Sequence, residues 1–441
     1  MRDYIVLAIV FLSAAVALFS PYYGILVWSW LAYFNPHRYC WGVARDFPVA
    51  IAVGVPTLIG TIFAAKNHRI FVRETVLLVS LWTWFAFTTY YITLLPQFGG
   101  HVQDATLHLE GISKILLMTF VTILLVNTSQ KLRLLVLVIV ASFGFRALFA
   151  AIFFLKTGGQ YKIWGPDGTF LADNNDFALA LNMTIPMFFF MARSEPAKWV
   201  RVTIRILMVC AVISVIGTYS RGGLVGLSVI VLMLLTKSRH KVIGISMVCI
   251  GLLAVVLFTT SQWKERMDSF AHGNLDMSAE SRLTVWLAGW KLVQDYPLTG
   301  GGFDVYTDSA VLSPYIPDAD KFLYGQHGPH SIYFQTLGEQ GFVGLGLFIG
   351  LMLSCLASLR TLRRRAAGNP EFAWAVPYTH MFEVSLLAYM ANGATLGRAY
   401  FDFFYQIVAC VIILKIVCQR EANMLLNPPL VASEDLEAIA V

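Results

Sequence analysis

Charge is what this chain has least of. Only 13% of its 441 residues are Asp, Glu, Lys or Arg, while 57% are hydrophobic and 14% aromatic. A water-soluble domain usually carries about 25% charged residues, so a soluble globular protein is excluded. Cysteine is scarce too. Cys40, Cys210, Cys249, Cys355, Cys410 and Cys418 fall mostly inside apolar runs, and the one long polar stretch has none. Neither a disulfide framework nor a metal-ligand spacing follows. Gly300-Gly301-Gly302 follows Pro297 as a turn, but no complete phosphate-loop motif surrounds it. No internal repeat is evident, which argues against a transporter built from inverted halves. No small-residue cleavage site precedes Pro21, so the first apolar run reads as an uncleaved span.

What is present is one apolar run after another. Each has about 20 residues, enough to cross about 30 Å of hydrocarbon as a helix. The runs are continuous, whereas a membrane β-barrel needs alternating segments of about 10 residues. The expected fold is all-α and polytopic, with about 12 transmembrane helices. Residues 1–260 hold spans one to nine, at 4–34, 47–65, 70–92, 109–126, 132–155, 176–191, 199–217, 222–235 and 242–260. Residues 261–329 form a large loop containing short helices. Residues 330–420 hold the last three spans, and 421–441 form a polar, loosely ordered tail.

The formal charge of +6 resides in clusters between spans, as orientation signals do, so it does not point to nucleic acid. Lys66/Arg69/Arg73, Lys131/Arg133, Arg193/Lys198/Arg201/Arg205, Lys237/Arg239/Lys241 and Arg360/Arg363/Arg364/Arg365 occupy alternate loops. The positive-inside rule makes these cytoplasmic. Residues 94–108, 156–173, 219–221, 261–329 and 396–398 then face outward. If Arg2 is also inside, residues 4–34 cross once and both termini are cytoplasmic. His37, Arg38 and Arg45 remain as the one basic loop outside.

Chemistry-bearing residues gather on the outward side. In residues 280–293, Leu283, Trp286, Leu287, Trp290 and Val293 recur at helical spacing. At about 14 residues this helix is too short to span and is expected to lie on the membrane surface. Arg282 neighbours Trp286 one turn on, and either snorkels toward lipid phosphates or holds a substrate phosphate. Tyr219-Ser220-Arg221-Gly222-Gly223 sits where one span ends and the next begins. A guanidinium at that depth needs a carboxylate partner or an anionic ligand, and the two glycines admit close backbone or ligand approach.

Pro329 is placed to start a helix, which would put His330 in its first turn, where the positive end of the helix dipole favours neutral imidazole. A neutral imidazole suits a general base; the alternative is an interfacial histidine bonded to headgroups. Glu339, nine residues on, falls on the opposite helix face about 13 Å deeper, and is expected to bond a neighbouring helix. Asp173-Asn174-Asn175-Asp176 opens another span. It either caps the helix or binds sugar hydroxyls.

In order and spacing these pieces resemble the O-antigen ligase and O-antigen polymerase superfamily of bacterial membrane glycosyltransferases. The matching pieces are Asp173-Asn174-Asn175-Asp176, Tyr219-Ser220-Arg221-Gly222-Gly223, Ser281-Arg282-Leu283 with Trp286, and Pro297-Leu298-Thr299-Gly300-Gly301-Gly302-Phe303. His330-Ser331 and Glu339-Gln340-Gly341-Phe342-Val343-Gly344 complete the set. Ser331 stands where relatives often have Asn.

The resemblance implies glycan transfer from an undecaprenyl diphosphate carrier at the periplasmic face of the inner membrane, without metal, nucleotide or other cofactor. For the ligase branch it implies lipid A-core as acceptor. Carried onto this chain, His330 would be the base, and Arg221, Arg282 and Arg266 would bind the diphosphate. Asn174, Asn175, Tyr219, Trp286 and Glu339 would support the site or bind sugar. Two same-donor alternatives stay open, an O-antigen polymerase and a protein O-oligosaccharyltransferase. A lipid-linked glycan flippase is the alternative of another class, although its polar residues should lie near the bilayer midplane.

Overall fold

The computed structural model describes residues 1–64, 70–237, 277–316 and 328–426, and among these every regular element is a helix. The expected span at 242–260, Arg266 and the tail beyond 426 lie outside the described residues. In chain order the α-helices are α1 (Arg2–Phe19), α2 (Pro21–Phe34), α3 (Val49–Ala64), α4 (Arg73–Thr93), α5 (Val102–Leu125), α6 (Ser129–Lys156) and α7 (Asn174–Ser194). They continue as α8 (Lys198–Gly217), α9 (Arg221–Lys237), α10 (Met277–Asp295), α11 (Ser309–Leu312), α12 (Ile332–Ala367), α13 (Ala375–Gly393) and α14 (Asp402–Leu426). Eight of them, α1, α4 to α8, α12 and α14, are long and apolar enough to cross a membrane; α3 and α9 are shorter and apolar.

The start of the chain departs from the single crossing expected for residues 4–34. Ser20 leaves helical geometry (φ −139°, ψ 73°) and Pro21, which has no N–H to give, begins a second helix. That helix folds back. The Asp3 carboxylate accepts hydrogen bonds from the Gly42 and Ala44 amides at 2.9 and 3.2 Å, so the chain after α2 has returned to the start of α1. At the other end of the hairpin, the Tyr22 hydroxyl donates to the Lys131 carbonyl at 3.0 Å. The N-terminus therefore shares a face with His37, Arg38 and Arg45, and Lys131 lies at the opposite one.

Local sequence explains the other ends that matter. Thr128 caps α6 by accepting from the Lys131 amide, Asp173 caps α7 by accepting from the Asn175 amide, and the Ser220 hydroxyl accepts from the Gly223 amide at the start of α9. In the centre lie α7 and α14, each with 83% of its apolar window buried, while α1, at 17%, lines the outside. Far from Arg221 and His330, Glu74 accepts from Ser354, Ser358 and Lys415 at 2.8, 2.6 and 2.7 Å, tying α4 to α12 and α14. Glu383 joins Arg360 and Arg363 on the same side, and Glu195 joins Arg133.

One helix breaks by design of its sequence. In α12 Gly341 adopts φ 66°, ψ −170°, a backbone conformation open in practice only to glycine. The break frees carbonyls, and the Gly300-Gly301-Gly302 turn fills the gap. Gly301 and Gly302 amides donate to the Gly338 and Glu339 carbonyls at 2.8 and 2.9 Å, and the Phe342 amide donates to the Pro297 carbonyl at 2.8 Å. From α4, Trp84 Nε1 donates to the Gln340 carbonyl at 3.0 Å and the Thr88 hydroxyl to Gln340 Oε1 at 2.6 Å. The glycine turn thus packs against protein backbone in this structure and locks the bend of α12.

Candidate active site

Three segments converge on one short connection. Residues 394–401 link α13 to α14, and they touch the beginning of α9 and the residue before the cap of α12. A methyl group placed on Gly222 would meet Thr395 Oγ1 at 2.6 Å, and one on Gly397 would meet the His330 amide nitrogen at 3.3 Å. Gly223 lies equally close to Ala178 of α7. Glycines 222 and 223 therefore serve helix approach, which fixes where Arg221 sits.

Arg282 joins them from α10, whose range confirms the short helix expected at 280–293 and extends it at each end. Val285, Ala288 and Leu292 of α10 are buried, while Leu283, Leu287 and Trp290 are exposed, so the helix leans on the protein and shows an apolar edge outward. One turn beyond Arg282, the Trp286 indole donates to the Pro329 carbonyl and its ring stacks on Phe334, centroids 4.6 Å apart at 6°. Trp286 thereby ties the helix of Arg282 to the residue before His330. Burial holds the Arg282 guanidinium below its usual pKa, and the positive charge of Arg221 lowers it further. Arg221 and Arg282 are neighbouring cations, and among the described residues Arg282 Nε is buried and unbonded; such a pair can hold an anion.

His330 does not occupy the first turn expected of it. Ser331 is the N-cap of α12 and His330 precedes it with φ 42°, in the left-handed region. The carbonyl before it is held by Trp286 and its own backbone packs against Gly397, so both sides of the peptide are fixed. Tyr219, two residues before Arg221, is also left-handed, at φ 55°. Non-glycine residues in that region are uncommon and cluster where function holds them.

The remaining expected residues act at one remove. Asn174 Nδ2 donates to the Thr218 carbonyl at 2.9 Å, and the Ser220 hydroxyl donates to Asn175 Oδ1 at 2.6 Å. Both latch the start of α7 to the turn that presents Arg221, and Asp173 caps the helix as one of the two readings held. The Tyr219 hydroxyl donates to the Gly159 carbonyl, tying the same turn to the loop after α6. Glu339 is buried in α12, where Oε1 meets Gln335 Nε2 at 3.5 Å and Oε2 accepts no hydrogen bond.

Three groups were not singled out from the sequence. Arg398 makes a two-pronged pair with Asp176, with Nε to Oδ1 at 2.6 Å. Burial alone would lower its pKa, and the Asp176 carboxylate holds it above the ordinary value. Gln335 Oε1 accepts from the Ala399 amide at 3.0 Å. Together these bonds clamp the connection that carries Gly397 against His330. The third group is His108, paired with Asp304 and stacked on Phe303 at 6.1 Å. An arginine in a three-residue gap and an aspartate inside a capping run gave no spacing signal. Among the described residues no three His, Cys, Asp or Glu side chains stand together as metal ligands would.

Comparison with known families gives two matches. Residues 206–349 match a family described as O-antigen ligase, and residues 1–196 match a family of unknown function, DUF5935. Among curated proteins none matches the chain. The first match contains Arg221, Arg282, His330 and Glu339, and it bears out the superfamily resemblance read from the motifs.

Proposed function

We propose, from the O-antigen ligase domain at residues 206–349 and the multi-pass helical fold, that this protein transfers a glycan from undecaprenyl diphosphate to lipid A-core. The reaction would occur at the periplasmic face of the bacterial inner membrane. The observation that carries the reading is the opposed pair Arg221 and Arg282, tied through Trp286 and Gly397 to the backbone around His330.

The chemistry follows from these groups. A diphosphate leaving group needs little protonation, but the charge that develops on it needs fixed cations. Arg221 and Arg282 supply them, with planar forks suited to phosphate oxygens. Arg266 is a third cation for the same role. His330 takes the proton of an acceptor hydroxyl, and that oxygen attacks the anomeric carbon from the side opposite the diphosphate. The new glycosidic bond forms as the bond to the diphosphate breaks, configuration inverts, and undecaprenyl diphosphate departs. The two guanidinium groups do the work a metal ion would do, so the proposed reaction is metal-independent.

Reconstitution with purified undecaprenyl diphosphate glycan tests the acceptor. Product on lipid A-core is expected, with none on a peptide and no longer lipid-linked glycan. Lengthening of the lipid-linked glycan, or product on peptide hydroxyls, would overturn the ligase assignment in favour of a same-donor alternative. Movement of intact donor across the bilayer without bond transfer would favour a flippase.

A further inference from the structure

A second pair of cations lies on α6 and the loop that follows it. Arg146 of α6 is 8% exposed, about ten residues and roughly 15 Å inside the end of its helix. Its Nη1 donates to the Tyr39 hydroxyl, and its guanidinium carbon lies 5.1 Å from the Tyr39 ring centre. No carboxylate pairs with it among the described residues. A guanidinium has five donors and needs a counter-charge when withdrawn from water. Here one neutral hydroxyl is its hydrogen-bond acceptor.

The rest of the group faces a cavity of about 320 Å³, within the range of ligand pockets of roughly 300–1,000 Å³. Lys162 lines the same cavity, its ammonium 4.1 Å from the Trp164 ring centre. Phe149, Phe153 and Trp164 line it too, and all three are exposed on the outside of the helix bundle. A buried guanidinium at the inner end, with a second cation and aromatic faces at the exposed rim, fits a molecule with an anionic head and an apolar body. We propose that this cavity binds the phosphate of an anionic membrane lipid, with Arg146 and Lys162 as its cations.

Neither cation has a role in the proposed transfer chemistry. The cavity and the turn of Arg221 are nonetheless joined by backbone: the Ile163 amide donates to the Gly217 carbonyl at 2.9 Å, four residues before Arg221.

The test uses the full chain in nanodiscs of phosphatidylcholine containing phosphatidylglycerol, with retained lipid measured by native mass spectrometry after gentle detergent release. Wild type is expected to retain phosphatidylglycerol over phosphatidylcholine. Arg146→Gln should reduce that retention about tenfold or more, the scale of a lost charge-assisted hydrogen bond. Arg146→Lys should restore part of it, and Lys162→Gln, at a loop position, should weaken it several-fold without depending on how Arg146→Gln folds. A second arm adds excess inorganic phosphate. Displacement of the lipid assigns recognition to the phosphate group alone, and persistence assigns it to head and chains together. Lipid retention unchanged in both Arg146→Gln and Lys162→Gln, or no preference for phosphatidylglycerol in wild type, overturns the proposal.

Discussion

At the residue scale, Arg221, Arg282 and His330 are the groups proposed to act. They stand out because cations and a histidine are costly beside apolar spans. Nothing in Pro329-His330-Ser331 announces φ 42°, because that angle comes from Trp286 and Gly397, distant in sequence. The same geometry makes charge alone an inadequate replacement at the anion site. Arg282→Lys keeps the charge but loses the planar fork, and transfer is expected to fall about tenfold or more; Arg282→Ala should lose about 10² to 10³. Initial rates in proteoliposomes check both. A lysine variant as active as wild type would show that a point charge suffices.

The clamp formed by Asp176 and Arg398 also belongs to this scale. Breaking a fully buried ion pair on one side typically costs about 3–5 kcal/mol; Asp176 is buried but the Arg398 side chain is 44% exposed, so solvent lowers that cost here. Asp176→Asn should therefore lower thermal stability and transfer together, while Asp176→Asn combined with Arg398→Gln should destabilise less than the sum of the two. Melting in detergent across the four variants measures the coupling. Strict additivity would mean the pair does no positioning.

At the element scale, apart from residues 4–34 and the undescribed 242–260, each expected span forms a helix, some of them longer than the apolar run, since burial of a continuous apolar surface leaves little choice. The break in α12 was less visible. Gly341 supplies a bend that the Gly300-Gly301-Gly302 turn then locks. A methyl group on Gly341 would meet the Leu298 carbonyl oxygen at 2.1 Å, in addition to the unfavourable positive φ. Gly341→Ala is expected to destabilise by about 2–4 kcal/mol and lower the melting temperature, with strain from the backbone conformation as one part and displacement of the turn as the other. Unchanged melting would mean that the bend is not needed.

At the scale of the whole molecule, the single crossing that charge parity gave residues 4–34 gives way to a hairpin of α1 and α2. The residues 4–34 contain too few polar positions to mark a turn, and only the Ser20-Pro21 pair hints at one. The hairpin makes a topological prediction. In a chain with its native cysteines replaced, single cysteines at Arg2, Trp41 and Trp164 should react with an impermeant maleimide from one side of the membrane, and one at Ser129 from the other. Labelling of the Arg2 position from the Ser129 side would restore a single crossing.

His330 is proposed to perform the proton transfer at a site whose anion hold is made by Arg221 and Arg282. Transfer by His330→Ala in proteoliposomes, with purified undecaprenyl diphosphate glycan and lipid A-core, measures it most directly. The expected result is a rate lower by about 10² to 10⁴ with donor affinity unchanged. Transfer at the wild-type rate would contradict it.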